Sequence, residues 1–341
     1  MKKLLALLLA LLMLLSVAAC SDSEEEVTAE DPVTEEAAHY PITVTDQAGR
    51  EVTIEDAPET LVSGYYISSS ALIALGQEDK FVGIEAKADK RPIYSLAAPE
   101  LISLPSVGTA KEFDLEGCLA LEPDLVVLPM KLKDAAATLE EMGVDVLLVN
   151  PESRQQLSEM VALLAAALDC EDKAAELEGF VGEVEMLLND WLDGAEEPLV
   201  YLAGNSSFLS TAGSAMYQSD LIDLAGGVNV AAEIEDTYWT EVSYEQVLTW
   251  DPEYIILASD ASYTASDVLA DSALADCTAV KNGNVYQMPA SAEAWDSPVP
   301  GGILGAVWTA SVLHPELVSA DVVDMTVETF YATFYDFVYE A

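Results

Sequence analysis

Positive charge is scarce in this chain: 13 lysines and arginines stand against 61 aspartates and glutamates in 341 residues, a formal net charge of −48. A field of that sign repels a polyphosphate backbone, so nucleic acid is not an expected partner. Histidine is rarer still, with only His39 and His314. Two imidazoles are too few for a cage around a bare metal ion or for a histidine-based acid/base cluster, and neither a GxSxG elbow nor a Ser/His/Asp set is present. Catalysis is therefore not the expectation. The four cysteines lack CxxC spacing, and Cys118, Cys170 and Cys277 sit among apolar neighbours as small core residues do, which argues against a disulfide framework. Past the first 20 residues, no apolar run is long enough to cross a bilayer.

What is present starts at the N-terminus. Lys2 and Lys3 precede an almost unbroken apolar stretch that ends in Val17, Ala18, Ala19 and Cys20. A basic start, a short apolar run and small residues before the cut describe a secretory signal over 1–19. With cysteine at the cut it resembles the bacterial lipobox, which implies a lipid on Cys20 and a protein held outside the cell membrane by that anchor alone. Residues 21–38 hold eight acids, no basic residue and no aromatic, so 20–39 reads as a self-repelling, disordered tether that ends at His39. From Tyr40 onward the composition is globular. About 300 residues exceed one comfortable core, so two domains are expected.

An internal repeat organises that body. Residues 116–128 read EGCLALEPDLVVL and residues 245–257 read EQVLTWDPEYIIL, with Asp114 and Ser243 each two positions ahead of the glutamate, where a helix N-cap belongs. Each copy predicts a short capped helix, a proline turn and a buried parallel-type strand. Further strands are predicted at 60–63, 81–84, 103–107 and 145–149, with helical patterns at 70–75 and 131–142 between them. In the second half they are predicted at 198–202, 219–224 and 284–288. Residues 151–194, bracketed by Pro151 and Gly194, keep helical spacing throughout and predict one long connecting helix. The expectation is an α/β protein with a lobe over 40–150, an interlobe helix over 151–195 and a second lobe over 196–341. Its cleft should lie between the lobes at the strand C-termini.

Five ordered stretches carry a resemblance: the lipobox, ITVTDQAGREVTI (42–54), LPSVGTAKEFDLEGCLALEPDLVVL (104–128), VSYEQVLTWDPEYIIL (242–257) and AWDSPVPGGILGAVW (294–308). Together they resemble the substrate-binding proteins of iron-siderophore, heme and cobalamin uptake transporters. The resemblance implies two Rossmann-like lobes joined by one rigid helix, no catalysis, no resident cofactor, and delivery of a captured ligand to a dimeric ABC permease with its ATPase. Which ligand does not follow from the fold.

Six of the few basic residues, Lys87, Lys90, Arg91, Lys111, Lys131 and Lys133, fall in three loops after successive strands of the first half. If they converge they form a positive patch on an acidic body, and an anionic ligand is expected, with Arg91 and Lys111 the preferred contacts. Tyr65 and Tyr66 follow the first strand and supply aromatic faces. The cobalamin-binding branch that this chain resembles has aromatics at the positions of Trp239 and Trp295, which implies the same role for those two. Aromatic walls with a few cations suit a ferric chelate, a tetrapyrrole or a corrinoid, so metal should arrive already complexed. An oxyanion such as molybdate, and a surface receptor that binds without transport, stay open. Glu116 and Glu245 occupy equivalent first turns. The helix dipole explains either one alone but not the pair, and the resemblance implies that they dock to the permease.

Overall fold

Ile42–Thr45 (β1) and Glu51–Ile54 (β2) alternate apolar and polar residues and pair as an antiparallel hairpin, with Val44 opposite Val52. They open the described part of the computed structural model, residues 39–235 and 238–339; the expected signal, the tether and Cys20 lie outside it. In the hairpin turn, Asp46 is 4% exposed and accepts hydrogen bonds from the Ala48 and Arg50 amides, the Arg50 guanidinium and the Leu148 amide. The 42–54 motif is thus a clasp that fixes the hairpin to the first sheet.

That sheet consists of Leu61–Ser63 (β3), Phe81–Ile84 (β4), Leu125–Pro129 (β5) and Asp145–Val149 (β6), all parallel, in the order β4-β3-β5-β6. Its central strands are buried on both faces, as a parallel sheet covered by helices requires. Its helices are Tyr66–Ala74 (α1), Pro92–Ala97 (α2), Leu115–Leu119 (α3) and Lys133–Glu141 (α4). Arg154–Leu168 (α5) and Glu171–Leu192 (α6) lead to the second sheet. There Leu199–Ala203 (β7) pairs in parallel with both Val228–Asn229 (β9) and Tyr254–Leu257 (β11), and β11 with Val285–Gln287 (β12). Ser210–Thr211 (β8) and Thr240–Glu241 (β10) extend it antiparallel. The remaining helices are Tyr217–Leu224 (α7), Tyr244–Trp250 (α8), Ala265–Ala270 (α9), Thr278–Asn282 (α10), Gly302–Leu313 (α11) and Ala320–Phe334 (α12).

The repeat is visible in the topology, because β9-β7-β11-β12 reproduces the order of β4-β3-β5-β6. Asp114 caps α3 by accepting from the Gly117 amide (2.9 Å), and Ser243 caps α8 by accepting from the Gln246 amide (3.1 Å). Before each proline the backbone turns left-handed, with φ of 51° at Glu122 and 46° at Asp251. The acid after each proline pins the neighbouring strand: Asp124 accepts from the Glu59 and Thr60 amides, and Glu253 from the Leu199 amide. The Pro-acidic signature is therefore a device of strand register.

Three expectations fail. The single interlobe helix is two helices, broken where Asp169 adopts φ 53° and Cys170 becomes the N-cap of α6; α5 packs on β1 and α1, while α6 packs on α5, α7 and α11. Residues 103–107 form no strand. Pro99 starts a 3-10 turn that runs to Ser103, and only one bridge, Ile84 to Ser106, joins the sheet, since Pro105 has no amide to donate. Residues 219–224 are helical. Tyr217, Gln218, Leu221 and Ile222 form the buried stripe of α7, a spacing of three and four rather than two. His39 is docked to the body, with Nε2 2.9 Å from the Ala166 carbonyl and Nδ1 3.1 Å from Asp169. His314 is buried against the Gly226 carbonyl, and the cysteines at 118, 170 and 277 are free. Among the described residues no helix is long and apolar enough to cross a membrane.

Candidate functional site

In each sheet the strand order reverses between the central pair, β3 and β5 or β7 and β11, which opens a crevice at the carboxyl ends of those strands. The segments leaving β3, β4 and β5 supply the first-lobe rim. After β3 comes Gly64, where a Cβ would lie 2.7 Å from the Leu128 side chain, so the chain turns here only without one. Tyr65 follows as the N-cap of α1 and Tyr66 as its first residue, their rings edge to face at 5.5 Å.

These two tyrosines mark two cavities whose walls come from both lobes. The larger, about 420 Å³, is lined by Tyr65, Lys131, Lys133 and Glu152 from one side and Tyr238 from the other. Lys131 Nζ stands 5.3 Å from the Tyr238 ring centroid, a cation–π contact in the cleft. Burial raises the Glu152 carboxyl above its usual range, with the Lys131 charge opposing. A neighbouring cavity of about 440 Å³ shares Asn150, Glu152 and Tyr238 and extends this space. The smaller cavity, about 60 Å³, is lined by Tyr66, Lys90 and Arg91 from the first lobe and Asp260 and Glu293 from the second.

Arg91 is held without being consumed. Its guanidinium carbon lies 3.8 Å from the Tyr66 ring centroid, and its Nε is 3.4 Å from Glu85 Oε1, an ion-pair contact outside hydrogen-bond geometry. Tyr66 in turn donates to Ser297 Oγ of the second lobe at 3.3 Å. Glu85 is buried and accepts from Ser69 Oγ and from the Tyr94 hydroxyl, each at 2.7 Å. Burial pushes its carboxyl up, against those two hydrogen bonds and the Arg91 charge. Glu293 is 6% exposed; its Oε1 accepts from Ser70 Oγ and more weakly from Tyr335, whereas its Oε2 has no described partner at hydrogen-bond geometry, with the Tyr331 hydroxyl the nearby donor that helps hold the carboxylate. Burial raises that carboxyl to about 7.

The structure brings some of the anticipated residues together and disperses others. Lys90 and Arg91 line the small cavity and Lys131 and Lys133 the large one, but Lys87 and Lys111 are exposed and line neither. Trp239 packs on the end of β7, so close that a Cβ on Gly204 would come within 2.8 Å of its ring. Trp295 does not face the cleft. It is 3% exposed and donates to the Tyr331 hydroxyl at 2.9 Å beneath α12, because a buried indole N–H needs a partner and finds one in the core. Glu116 and Glu245 are exposed at the second positions of α3 and α8. A helix that feeds a parallel strand runs antiparallel to it, so both first turns lie on the cleft side of their sheets. Sequence reasoning missed Tyr238, Glu85 and Glu293. Tyr238 adjoins the singled-out Trp239, and each glutamate is a lone acid inside an apolar stretch, FVGIEAK and ASAEAW, among 61 acids in all.

Known proteins share this architecture. The chain is 27% identical over 317 residues to the molybdate-binding protein MolA of Haemophilus influenzae, covering 86% of this chain and 90% of MolA. The solved structure of molybdate-bound MolA superposes with a TM-score of 0.77, 25% identity, and coverage of 88% and 99%. A cobalamin-binding protein of Halobacterium salinarum is 25% identical over 73% of this chain and 68% of its own length. The Bacillus subtilis protein YvrC, an uncharacterised ABC transporter substrate-binding lipoprotein, is 25% identical over 73% of this chain and 78% of its own length. A model of the periplasmic binding protein family matches residues 61–292, from the first strand of one sheet through the last strand of the other. The chain belongs to that periplasmic binding protein family.

Proposed function

We propose that this protein captures an anionic metal complex outside the cell membrane and delivers it to an ABC permease. One observation carries the reading: in a chain of net charge −48, Lys90, Arg91, Lys131 and Lys133 line the two cavities of the interlobe crevice, beside the faces of Tyr65, Tyr66 and Tyr238. Cations backed by aromatic rings stabilise a flat or bulky anion through charge and through stacking. The larger cavity and its extension suit the organic shell of a chelate. The alignment with MolA over most of both chains favours a second reading, a free oxyanion as the ligand. No resident cofactor is needed in either case, because the metal travels with the ligand.

Intrinsic tryptophan fluorescence tests this. Molybdate, a ferric siderophore, hemin and a corrinoid are titrated into wild type and into the Arg91→Ala and Lys131→Ala variants. Each variant should weaken binding of the accepted ligand by about 1 to 3 kcal/mol, the usual loss for a charge-assisted contact. Unchanged affinity in both variants, or equal affinity for a neutral analogue, would overturn the reading.

Delivery rests on Glu116 and Glu245. Each stands on the cleft side of its own sheet at equivalent positions of two like lobes, and a permease dimer presents one surface twice, so a matched acidic pair suits it. Anchoring rests on the residues that end in Cys20 and gains support from the lipoprotein YvrC among the relatives.

A further inference from the structure

The small cavity contains an unsolved problem of charge. Glu293 Oε2 is buried and makes no well-formed hydrogen bond to a described residue, and neither does the guanidinium of Arg91, whose Nε has only the 3.4 Å ion-pair contact with Glu85. Both groups line the same space of about 60 Å³. A single water needs only about 10 to 15 Å³ of such volume, so the space admits several waters or one small oxyanion group. Buried polar atoms are almost always paired, and a buried carboxyl oxygen beside a guanidinium that no described residue hydrogen-bonds points to an occupant that completes them. We propose that Arg91 and Glu293 form an oxyanion subsite across the lobe boundary, where the guanidinium and a carboxylic O–H of Glu293 both donate to one fully deprotonated acid group. The proposal rests on the anionic-ligand reading above and names the seat of the negative charge.

The surroundings of Glu293 favour a donor there. From α1, Ser70 Oγ donates to Oε1, so that oxygen is an acceptor already in use and the proton belongs on Oε2. From α12, the Tyr335 hydroxyl lies 3.5 Å from Oε1, and Tyr331 stands close by. A Cβ at Gly301, the residue before α11, would collide with Oε2, so the backbone there approaches the carboxyl directly. Arg91, Lys90, Tyr94 and Asp260 line the same cavity, and Glu85 touches both Arg91 and Tyr94. Neither histidine lines the space. With the carboxyl raised by burial to about 7, Glu293 is poised to take up a proton when an anion enters. The acid group has two possible sources: a free tetrahedral oxyanion, or a carboxylate at the edge of a metal chelate.

The test measures binding of sodium molybdate and of ferric citrate by calorimetry between about pH 6.5 and about pH 9, in two buffers of different ionisation enthalpy at constant ionic strength. Wild type should take up a fraction of a proton per anion that approaches one above pH 8, and should bind at least about tenfold more weakly at the alkaline end. In Glu293→Gln the amide still donates but cannot titrate. That variant should take up no proton and hold its Kd within about twofold across the range. Arg91→Ala should lose at least tenfold affinity at every pH. Response to molybdate alone, or to ferric citrate alone, assigns the source of the acid group and supports the subsite either way. Proton uptake and pH slope that persist in Glu293→Gln overturn it. If neither probe binds wild type while hemin or a siderophore still does, the subsite fails and capture stands; if nothing binds, both fail.

Discussion

Glu293 and Glu85 are acids largely withdrawn from bulk solvent, and each meets a serine of α1: Ser70 and Ser69 respectively. Desolvation disfavours the charged form, so the folded state binds protons more tightly than the unfolded chain does. For Glu293, raised from 4.5 to about 7, the stabilising contribution is complete below about pH 4.5 and disappears as pH rises through 7. The loss amounts to about 3 kcal/mol. Urea denaturation should therefore show wild type less stable at about pH 8 than at about pH 5, and Glu293→Gln should shrink that difference. An identical pH profile in the variant would show that the carboxyl is ionised at little cost. Glu85 shifts in the same direction and remains in the variant, so a smaller slope of the same sign should persist.

At the scale of elements, the repeat works through its ends. Asp114 and Ser243 each satisfy an orphan amide in the first turn of a short helix, and the acid after each proline holds the adjoining strand in register. Asp114→Ala and Ser243→Ala should each cost about 1 kcal/mol of stability by denaturant unfolding, and the double variant should show the sum, since the two caps belong to different sheets. A double variant that loses much more than the sum would mean that the lobes fold as a coupled pair through these turns. The broken interlobe connection belongs to the same scale. Asp169 carries the left-handed residue between α5 and α6, and His39 contacts both it and the last turn of α5, so the start of the body is fastened at the break.

For the whole molecule, the acidic surface and the paired lobes matter together. Charge reversal of both Glu116 and Glu245 should abolish uptake by intact cells while leaving ligand affinity and melting temperature close to wild type, because both side chains are exposed. Uptake at the normal rate by the double variant would remove the docking assignment and favour a receptor without transport. Cys20→Ser should yield protein without lipid. Native protein found unmodified at that residue by mass spectrometry would end the anchor hypothesis.

The sequence by itself determined what depends on near neighbours along the chain. The capped helix, proline turn and strand of each repeat need only local hydrogen bonds and a run of aliphatics, so Asp114, Ser243, β5 and β11 were legible, and so was the α/β alternation. Local reasoning failed where distant contacts select among local options. Asp169 breaks an otherwise unbroken helical pattern. The 219–224 segment takes the helical period because Leu221 and Ile222 are buried in the core of the second lobe. Trp295, one aromatic among many, turns inward because the Tyr331 hydroxyl is there to accept its proton. The cleft itself was decided by tertiary structure. Lys131 meets Tyr238, and Arg91 and Glu293 line one cavity, across 107 and 202 positions of chain. No pattern along the sequence encodes which of its many acids are buried; packing decides that, and packing exists only once the lobes have formed.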